Sequence, residues 1–172
     1  MFRAADRPYL RSVADVGEDG LAYCVISPRY RWREEWSGAA LVATLRRTLP
    51  EVAGTPAGLV TSVTDVRVAY RTGSGRVGEL SVGLPGRRVR VDGPRVRAAL
   101  RTPSGELLRS SAFELTSTTS AHQVVRLVAE GGGAGHGVGF CQWGAVGRAR
   151  AGHDFQRILA AYYPGATLER RY

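Results

Sequence analysis

Apolar residues first recur with a helical period in the segment after Ser37, a residue type that caps helix N-termini. The apolar residues of this face are Leu41, Val42, Leu45 and Leu49. We expect Pro50 to end this helix. The preceding residues 21–36, LAYCVISPRYRWREEW, predict a strand, a break at Pro28 and then an extended aromatic segment.

Strict alternation of apolar and polar residues follows. Val66, Val68 and Tyr70 alternate on one side of the turn RTGSGR, and Leu80, Val82 and Leu84 alternate on the other. Two such runs around a glycine-rich turn predict a β-hairpin. The next segment, RRVRVDGPRVRAAL, predicts a short strand and a helix start with Asp92 as cap and Pro94 in the first turn. SSAFEL and HQVVRLVA predict two further strands.

The C-terminal part of the chain is predicted to be helical at residues 141–151 and 154–163. The second helix has the clearer pattern, and its apolar face is Phe155, Ile158, Leu159 and Tyr162. Pro164 and Gly165 end it. Helices do not alternate regularly with strands, so parallel βαβ units are not indicated. We expect a single α+β domain over residues 1–172, with a mainly antiparallel sheet and about three to four helices.

Composition adds a strong positive charge to this picture. The 172 residues carry a net charge of +9, and all 24 basic residues are arginine. Such a charge favours anionic partners. One concentrated group is Arg87, Arg88, Arg90, Arg95, Arg97 and Arg101. This group is either a solvated basic face or a surface for an anionic polymer. A nucleic-acid-binding module is the alternative that rests on charge alone, since no known nucleic-acid-binding motif accompanies it.

No apolar run approaches the length of a membrane span, and the first residues lack a signal-peptide pattern. The chain is therefore expected to be either cytosolic or a piece of a longer exported chain that acts in the cell envelope. The two cysteines, Cys24 and Cys141, are far apart and form no CxxC pair. Two interpretations stay open for them: two buried thiols, or a disulfide from an early strand to the glycine-rich loop.

One dense glycine stretch, GGGAGHGVGFCQWGAVGRARAG at residues 131–152, surrounds His136. It could cradle a phosphate at a helix start, although it matches neither GxGxxG nor a Walker A motif. Cys141 could be a nucleophile at a helix N-terminus. The glycines could also serve packing and positive φ angles alone. A metal site built on His136 and Cys141 is a further alternative, with a poor ligand count.

Three ordered blocks in this region resemble the C-terminal signature of the stage II sporulation protein D family, which includes amidase enhancer proteins. The blocks are Gly135–Gly139, Cys141–Ala145 and Tyr162–Gly165. SGRV at 74–77, VRAAL at 96–100 and SSAFEL at 110–115 are also similar. The resemblance covers most of the chain from about Tyr23 onward.

The resemblance implies work on peptidoglycan, by lytic transglycosylases that use a glutamate as general acid and base. A leaving glycosidic oxygen must be protonated, and a carboxyl group with a raised pKa can do this near neutral pH. The family's glutamate precedes a Pro-Tyr-Leu segment, and no matching glutamate precedes Pro8. We therefore expect binding of glycan strands without the family's catalytic acid. The rival hypothesis is an active lytic enzyme that uses an internal acid or is completed by sequence upstream.

Acid candidates inside the chain are Glu34, Glu35, Glu79, Glu106, Glu114 and Glu130, none in a recognisable catalytic setting. The family's serine before the glutamine is Cys141 here. The residues expected to bind substrate are Arg76, His136, Cys141, Gln142, Trp143 and Tyr163. Trp143 could stack on a sugar ring or lie in the core, and Tyr162 is predicted to be core. Expected partners are glycan strands and other cell-wall hydrolases, with no cofactor and no metal.

Overall fold

The computed structural model describes residues 12–137 and 139–169. Its strands are β1 (Arg31–Ser37), β2 (Asp65–Arg71), β3 (Val77–Leu84), β4 (Arg87–Asp92), β5 (Phe113–Ser120) and β6 (Gln123–Gly132). Its α-helices are α1 (Gly38–Ala53), α2 (Arg95–Ala99), α3 (Gln142–Arg150) and α4 (Phe155–Tyr162). The strands form two three-stranded antiparallel sheets, ordered β2-β3-β4 and β1-β6-β5. The predicted α+β class with antiparallel strands is confirmed.

By its internal contacts the chain divides into two compact units. The first unit joins the N-terminal segment, up to Tyr30, with the C-terminal segment from Gly137. The second unit is Arg31–His136 and contains both sheets, α1 and α2. Helices α3 and α4 belong to the first unit.

Helix α1 begins as predicted and ends later than predicted. Ser37 Oγ accepts a hydrogen bond from the backbone N–H of Ala40, at 3.2 Å. Pro50 lies inside the helix, which continues to Ala53, so the expected stop at Pro50 is wrong. The next residue, Gly54, has a left-handed φ of 63°, and its N–H donates to Pro50 O while Thr55 N–H donates to Leu49 O. These hydrogen bonds satisfy the last carbonyl groups of the helix, so Gly54 and not Pro50 ends it.

The predicted hairpin is β2–β3, and β4 adds a third antiparallel strand. Three other details of the prediction differ from the structure. Asp92 is the last residue of β4 and makes no cap bond, because Gly93, with a φ of 55°, turns the chain before the helix. Pro94 itself is the N-cap of α2. The predicted strand around Cys24 is a short 3-10 helix, Tyr23–Ile26.

The core of the second unit lies between α1 and the sheets. The largest fully buried side chains are Trp36, Leu41, Leu45, Leu49, Leu80, Leu100, Leu108 and Leu127, with Val60, Val63, Val82 and Val91. The one polar group of the buried Trp36 side chain is also satisfied, because Nε1 donates a hydrogen bond to Arg101 O at 2.9 Å. The leucines predicted on one face of α1 are therefore confirmed as core.

Five of the six clustered arginines have partners inside the second unit. Arg88 pairs with Asp65 at 2.7 Å, and Arg90 lies 3.6 Å from a Glu79 oxygen. The backbone carbonyls of Val52, Leu108 and Gly105 accept hydrogen bonds from Arg95, Arg97 and Arg101, respectively. The two carboxylates offset part of the positive charge that the sequence concentrates here, and the three carbonyls fix the positions of the other guanidinium groups.

An ion pair between β1 and β6 gives the second unit a predicted response to acid. Glu35 accepts hydrogen bonds from Arg126, at 2.6 and 2.8 Å, and from Arg33, at 2.6 Å. These bonds, first from Arg126 and then from Arg33, lower the pKa of Glu35 from its ordinary 4.5 to about 2. Because the pKa is lower in the folded protein, the ion pair stabilises the fold fully at pH values above the pKa of the unfolded chain. This stabilisation is lost as the pH falls through the pKa of the folded protein.

We expect the free energy of unfolding of Glu35→Gln to fall less steeply than that of wild type between pH 4.5 and pH 2. Urea titrations at several pH values measure this slope. Glu106→Gln, at an exposed loop position, is the matched control and should keep the wild-type slope. Parallel curves for Glu35→Gln and wild type would show that the pair contributes nothing.

Candidate functional site

The start of α3 is organised around Cys141. This residue is the N-cap of the helix, and its Sγ accepts a hydrogen bond from Gly144 N–H at 3.3 Å. The resemblance expects a serine here, and in this chain the cysteine thiol caps the helix. Gly137 and Gly139 lead into the helix with φ angles of 74° and 104°, a region that side chains disfavour.

Beneath this helix start lies a polar network that joins the two segments of the first unit. Asp15 Oδ1 accepts from Arg148 Nε at 3.0 Å, and Asp15 Oδ2 accepts from Tyr162 Oη at 2.7 Å. The Arg148 guanidinium also lies over the ring of Tyr23, 4.4 Å from its centroid. Only 8% of Arg148 is exposed, so its charge is matched almost entirely by protein groups. Burial, followed by Asp15, raises the pKa of Tyr162, which keeps its phenol protonated as the donor.

Two glycines of α3 allow this close approach. A Cβ at Gly144 would collide with the Asp15 carboxylate and the Tyr162 hydroxyl. A Cβ at Gly147 would collide with the backbone carbonyl of Tyr23, which belongs to the 3-10 helix. The glycines at these positions are therefore required by packing and not by backbone angle.

Replacing Gly147 with alanine is expected to lower the free energy of unfolding by about 1–3 kcal/mol, since the obstructing atoms are backbone. Thermal or urea denaturation measures this loss. Val146→Ala, on an exposed position of the same helix, is the control and should differ little from wild type. A Gly147→Ala protein as stable as wild type would contradict the close packing.

The chain before α3 is held by aromatic contacts. The ring of Phe140 lies 5.5 Å from that of Tyr162 and 6.3 Å from that of Tyr163. The Tyr163 hydroxyl accepts a hydrogen bond from Phe140 N–H at 3.3 Å. Tyr163 is half-buried, and its described contacts hold the chain that leads into α3.

Three predicted substrate-binding residues are consecutive in the chain at the start of α3. Cys141, Gln142 and Trp143 are all exposed at the first turn of α3. The indole of Trp143 is 41% exposed, so the interpretation of Trp143 as a core residue is wrong. Tyr162, at 7% exposure, is core as predicted. The helix start therefore presents an amide and an aromatic ring on a fixed backbone.

The two remaining predicted residues belong to the second unit. His136 is exposed, at the end of the glycine run, and the preceding Gly135 N–H donates to Arg109 O at 2.8 Å. Arg76 is half-buried in the turn between β2 and β3, where its carbonyl accepts from Thr72 N–H at 2.8 Å. The predicted set is thus divided between the units, with four residues in the first and two in the second.

The glycine run begins inside β6 of the second unit, where the indole of Trp32 packs against it. Trp32 packs against Gly131, where a Cβ would collide with the indole, and Trp32 Nε1 donates to Gly133 O at 3.0 Å. An open cleft of about 560 Å³ lies beside this contact, lined by Arg31, Trp32, Arg33, Glu130 and Gly131. The run that leads to His136 therefore starts from a rigid strand next to an accessible surface.

The two cysteines meet in the first unit. Cys24 Sγ, Cys141 Sγ and an Asp15 carboxylate oxygen all lie within 4.8 Å of one another. Cys24 is half-buried and Cys141 is exposed, so the interpretation of two buried thiols is wrong for Cys141. Burial raises the pKa of Cys24, and Cys141 and Asp15 raise it further. These three groups are the set that could ligate a metal among the residues that the structure describes.

Five glutamates of the second unit pair with arginines. Glu34, Glu79, Glu114 and Glu130 each face an arginine, at 3.7, 3.6, 2.5 and 3.4 Å respectively. Glu35, with its lowered pKa, is ionised at neutral pH. A proton donor to a leaving group needs the opposite shift.

Asp15 and Arg148 are the residues that sequence analysis missed. Asp15 had no recognisable neighbour in the sequence, because 133 positions separate it from Arg148. A usable signal existed on α3, where Gly144 and Arg148 are four positions apart and thus share a helix face. A small residue and an arginine on one face indicate a close packing surface with a charged partner.

Comparisons with known proteins place the chain among its relatives. A family described as "Domain of unknown function (DUF8618)" matches residues 24–139. The chain belongs to this family. Over 72 residues it is 38% identical to a protein named amidase enhancer from Bacillus subtilis (strain 168), a stretch that covers 40% of this chain and 10% of the relative. The predicted resemblance to amidase enhancer proteins is thus confirmed for part of the chain.

A second relative is an uncharacterized protein of Brachyspira hyodysenteriae (strain ATCC 49526 / WA1). It is 48% identical over 42 residues, which cover 24% of this chain and 11% of that protein. The matched stretches therefore span only about a tenth of the length of the curated relatives. Within the described part of the DUF8618 chain, no helix is both long and apolar enough to cross a membrane.

Proposed function

We propose that this protein binds the glycan strands of the bacterial cell wall, and that the exposed start of α3 supplies part of the binding surface. The observation that carries the proposal is the exposed Gln142–Trp143 pair on a helix start that is fixed from below. The partial similarity to a protein named amidase enhancer gives the cell-wall context.

The chemistry of this surface suits amino sugars. An indole can cover the apolar face of a sugar ring while its N–H reaches a polar neighbour. The Gln142 amide offers both donors and an acceptor, which an N-acetyl group can satisfy. The Asp15–Arg148–Tyr162 network keeps the helix beneath them in one place, so little ordering is needed on binding.

His136 and Arg76 belong to the same proposal through the resemblance to stage II sporulation protein D. Both lie in the second unit, and we propose that they contact the polymer there. Residues 1–172 would then act as a single glycan-binding domain in the cell envelope, alongside other cell-wall hydrolases. A general acid must hold a proton, and an arginine partner favours the ionised carboxylate instead. We therefore propose that the glutamates of the second unit that face arginines take part in no cleavage.

Retention on insoluble polymer tests the proposal. Wild type should be retained on glycan strands stripped of stem peptides, while Gln142→Ala and His136→Asn should be retained less. The matched controls are Gln156→Ala, an exposed glutamine on α4, and His122→Asn, an exposed histidine in the turn before β6. His136 follows the opposite end of that ten-residue strand, so His122 is well separated from it.

Three outcomes would contradict the proposal. Wild type could fail to bind the stripped strands. The test variants could also be retained to the same extent as their controls. Release of anhydro-sugar products by wild type would contradict binding without cleavage. The retention experiment is repeated with intact sacculi, which still carry stem peptides. Comparing the two polymers separates recognition of glycan from attraction of the +9 charge to stem-peptide carboxylates.

A further inference from the structure

Two cysteine sulfurs lie together at the point where the first unit joins its two segments. Cys24 belongs to the 3-10 helix of the N-terminal segment, and Cys141 caps α3 in the C-terminal segment. Their Sγ atoms lie within 4.8 Å of each other. A disulfide needs about 2.0 Å between its sulfurs, so rotation of the two side chains must close the remaining gap. The backbone segments that carry the cysteines are already in contact through Tyr23, Gly147 and Arg148.

The described residues of the first unit bury few apolar side chains between those segments. Among the described residues, its buried hydrophobic side chains are Ile158 and Tyr162, and all others of the protein lie in the second unit. Small units with such a limited core are commonly stabilised by disulfides or metals. A covalent or metal link between the segments would add to the stability of such a unit.

We propose that Cys24 and Cys141 form a disulfide in the working protein, which joins the N-terminal segment to the start of α3. The closed loop would contain the whole second unit, Arg31–His136. A link across so long a loop removes many conformations from the unfolded chain. The proposal does not depend on glycan binding.

A metal ion fits the same atoms less well. The Asp15 oxygens already accept hydrogen bonds from Arg148 and Tyr162, and the guanidinium nitrogen at 3.0 Å would repel a dication. The described residues offer three ligand atoms, whereas structural zinc sites almost always have four protein ligands. The two sulfurs alone need no further group.

The bond can form by exchange with a disulfide oxidant such as oxidised glutathione. The exposed Cys141 sulfur, as thiolate, attacks one sulfur of the oxidant and expels the first glutathione thiolate. Cys24 then loses its proton to solvent and attacks the Cys141 sulfur, which expels the second glutathione thiolate. Two protein thiols are oxidised and one small disulfide is reduced to two thiols. Because burial raises the pKa of Cys24, the second step should be faster at higher pH.

Peptide mapping of the purified full chain tests the proposal. After equilibration with oxidised glutathione and digestion without reductant, a peptide pair that contains Cys24 and Cys141 should appear in the linked form. Oxidised wild type should then melt roughly 5–15 °C above the reduced protein. The double variant Cys24→Ser/Cys141→Ser should melt at one temperature with or without reductant.

Several results would overturn the disulfide. Both thiols could remain open to alkylation after the oxidising treatment, or the linked protein could melt no higher than the reduced one. Stoichiometric Zn²⁺ added alone could bind and protect the thiols from oxidation, which would favour a metal site. The comparison of oxidised and reduced wild type needs no variant, so poor folding of the double variant would not obscure the answer. Failure of glycan retention with a linked peptide present would remove only the proposed function.

Discussion

Asp15→Ala is expected to lower the free energy of unfolding by about 3 kcal/mol, the largest effect of any single polar replacement in the first unit. The change removes the carboxylate that pairs with Arg148 and accepts from Tyr162. Arg148 is almost fully buried, so its charge would be left without its ion partner in a site that water reaches poorly. Urea denaturation measures the loss.

Glu18→Ala is the matched control, because it removes an exposed carboxylate from the same segment. Its free energy of unfolding should stay close to that of wild type. A second variant, Asp15→Ala with Arg148→Met, should recover part of the loss, since the uncompensated charge is gone. A loss for Asp15→Ala no greater than that of Glu18→Ala would contradict a structural role for the network.

Trp143→Ala is expected to weaken binding to stripped glycan strands about tenfold or more, a loss of at least about 1.4 kcal/mol. The indole is the largest exposed apolar group at the start of α3, and its loss removes a stacking surface. Since 41% of Trp143 is exposed, its removal should change the free energy of unfolding far less than the Asp15 replacement. A binding isotherm with soluble glycan fragments measures the affinity.

Phe155→Ala is the control for this variant, because Phe155 is an exposed aromatic residue of the same unit, at 67% exposure. It should bind glycan like wild type. Equal affinity of Trp143→Ala and wild type would remove the start of α3 from the binding surface. Equal weakening by Phe155→Ala would indicate non-specific contact with exposed aromatic rings.

Periodicity predicted the elements well where a long amphipathic face decides them. The leucines of α1 follow directly from burial on one face. The alternation predicted the β2–β3 pairing, but Tyr70 of β2 is 50% exposed and β3 is buried on both faces from Leu80 onward. Pro50 misled because a proline in the last turn removes one N–H but leaves later residues able to close the helix. Phe155 matched the apolar face of α4 and yet is exposed, since this short helix buries only Ile158 and Tyr162 among its residues.

The candidate site was predictable only in part. The glycine–histidine stretch drew attention to the start of α3, but periodicity could not decide whether Trp143 was core or surface. The support beneath it escaped prediction for a physical reason. A pattern reports which face of an element is buried, whereas the partner of Arg148 is chosen by tertiary packing across the chain. Cys24 and Cys141 illustrate the same limit, since nothing in their spacing shows that their sulfurs meet.

Tryptophan fluorescence during a titration with stripped glycan strands tests the central claim most directly. Of the three tryptophans, Trp32 and Trp36 are buried and Trp143 is exposed, so a solvent-dependent shift reports on the start of α3. We predict a shift to shorter wavelength that saturates with added glycan and that disappears in Trp143→Phe. An unchanged spectrum at glycan concentrations that retain the protein, or a shift that persists in Trp143→Phe, would contradict a sugar-binding surface at this helix start.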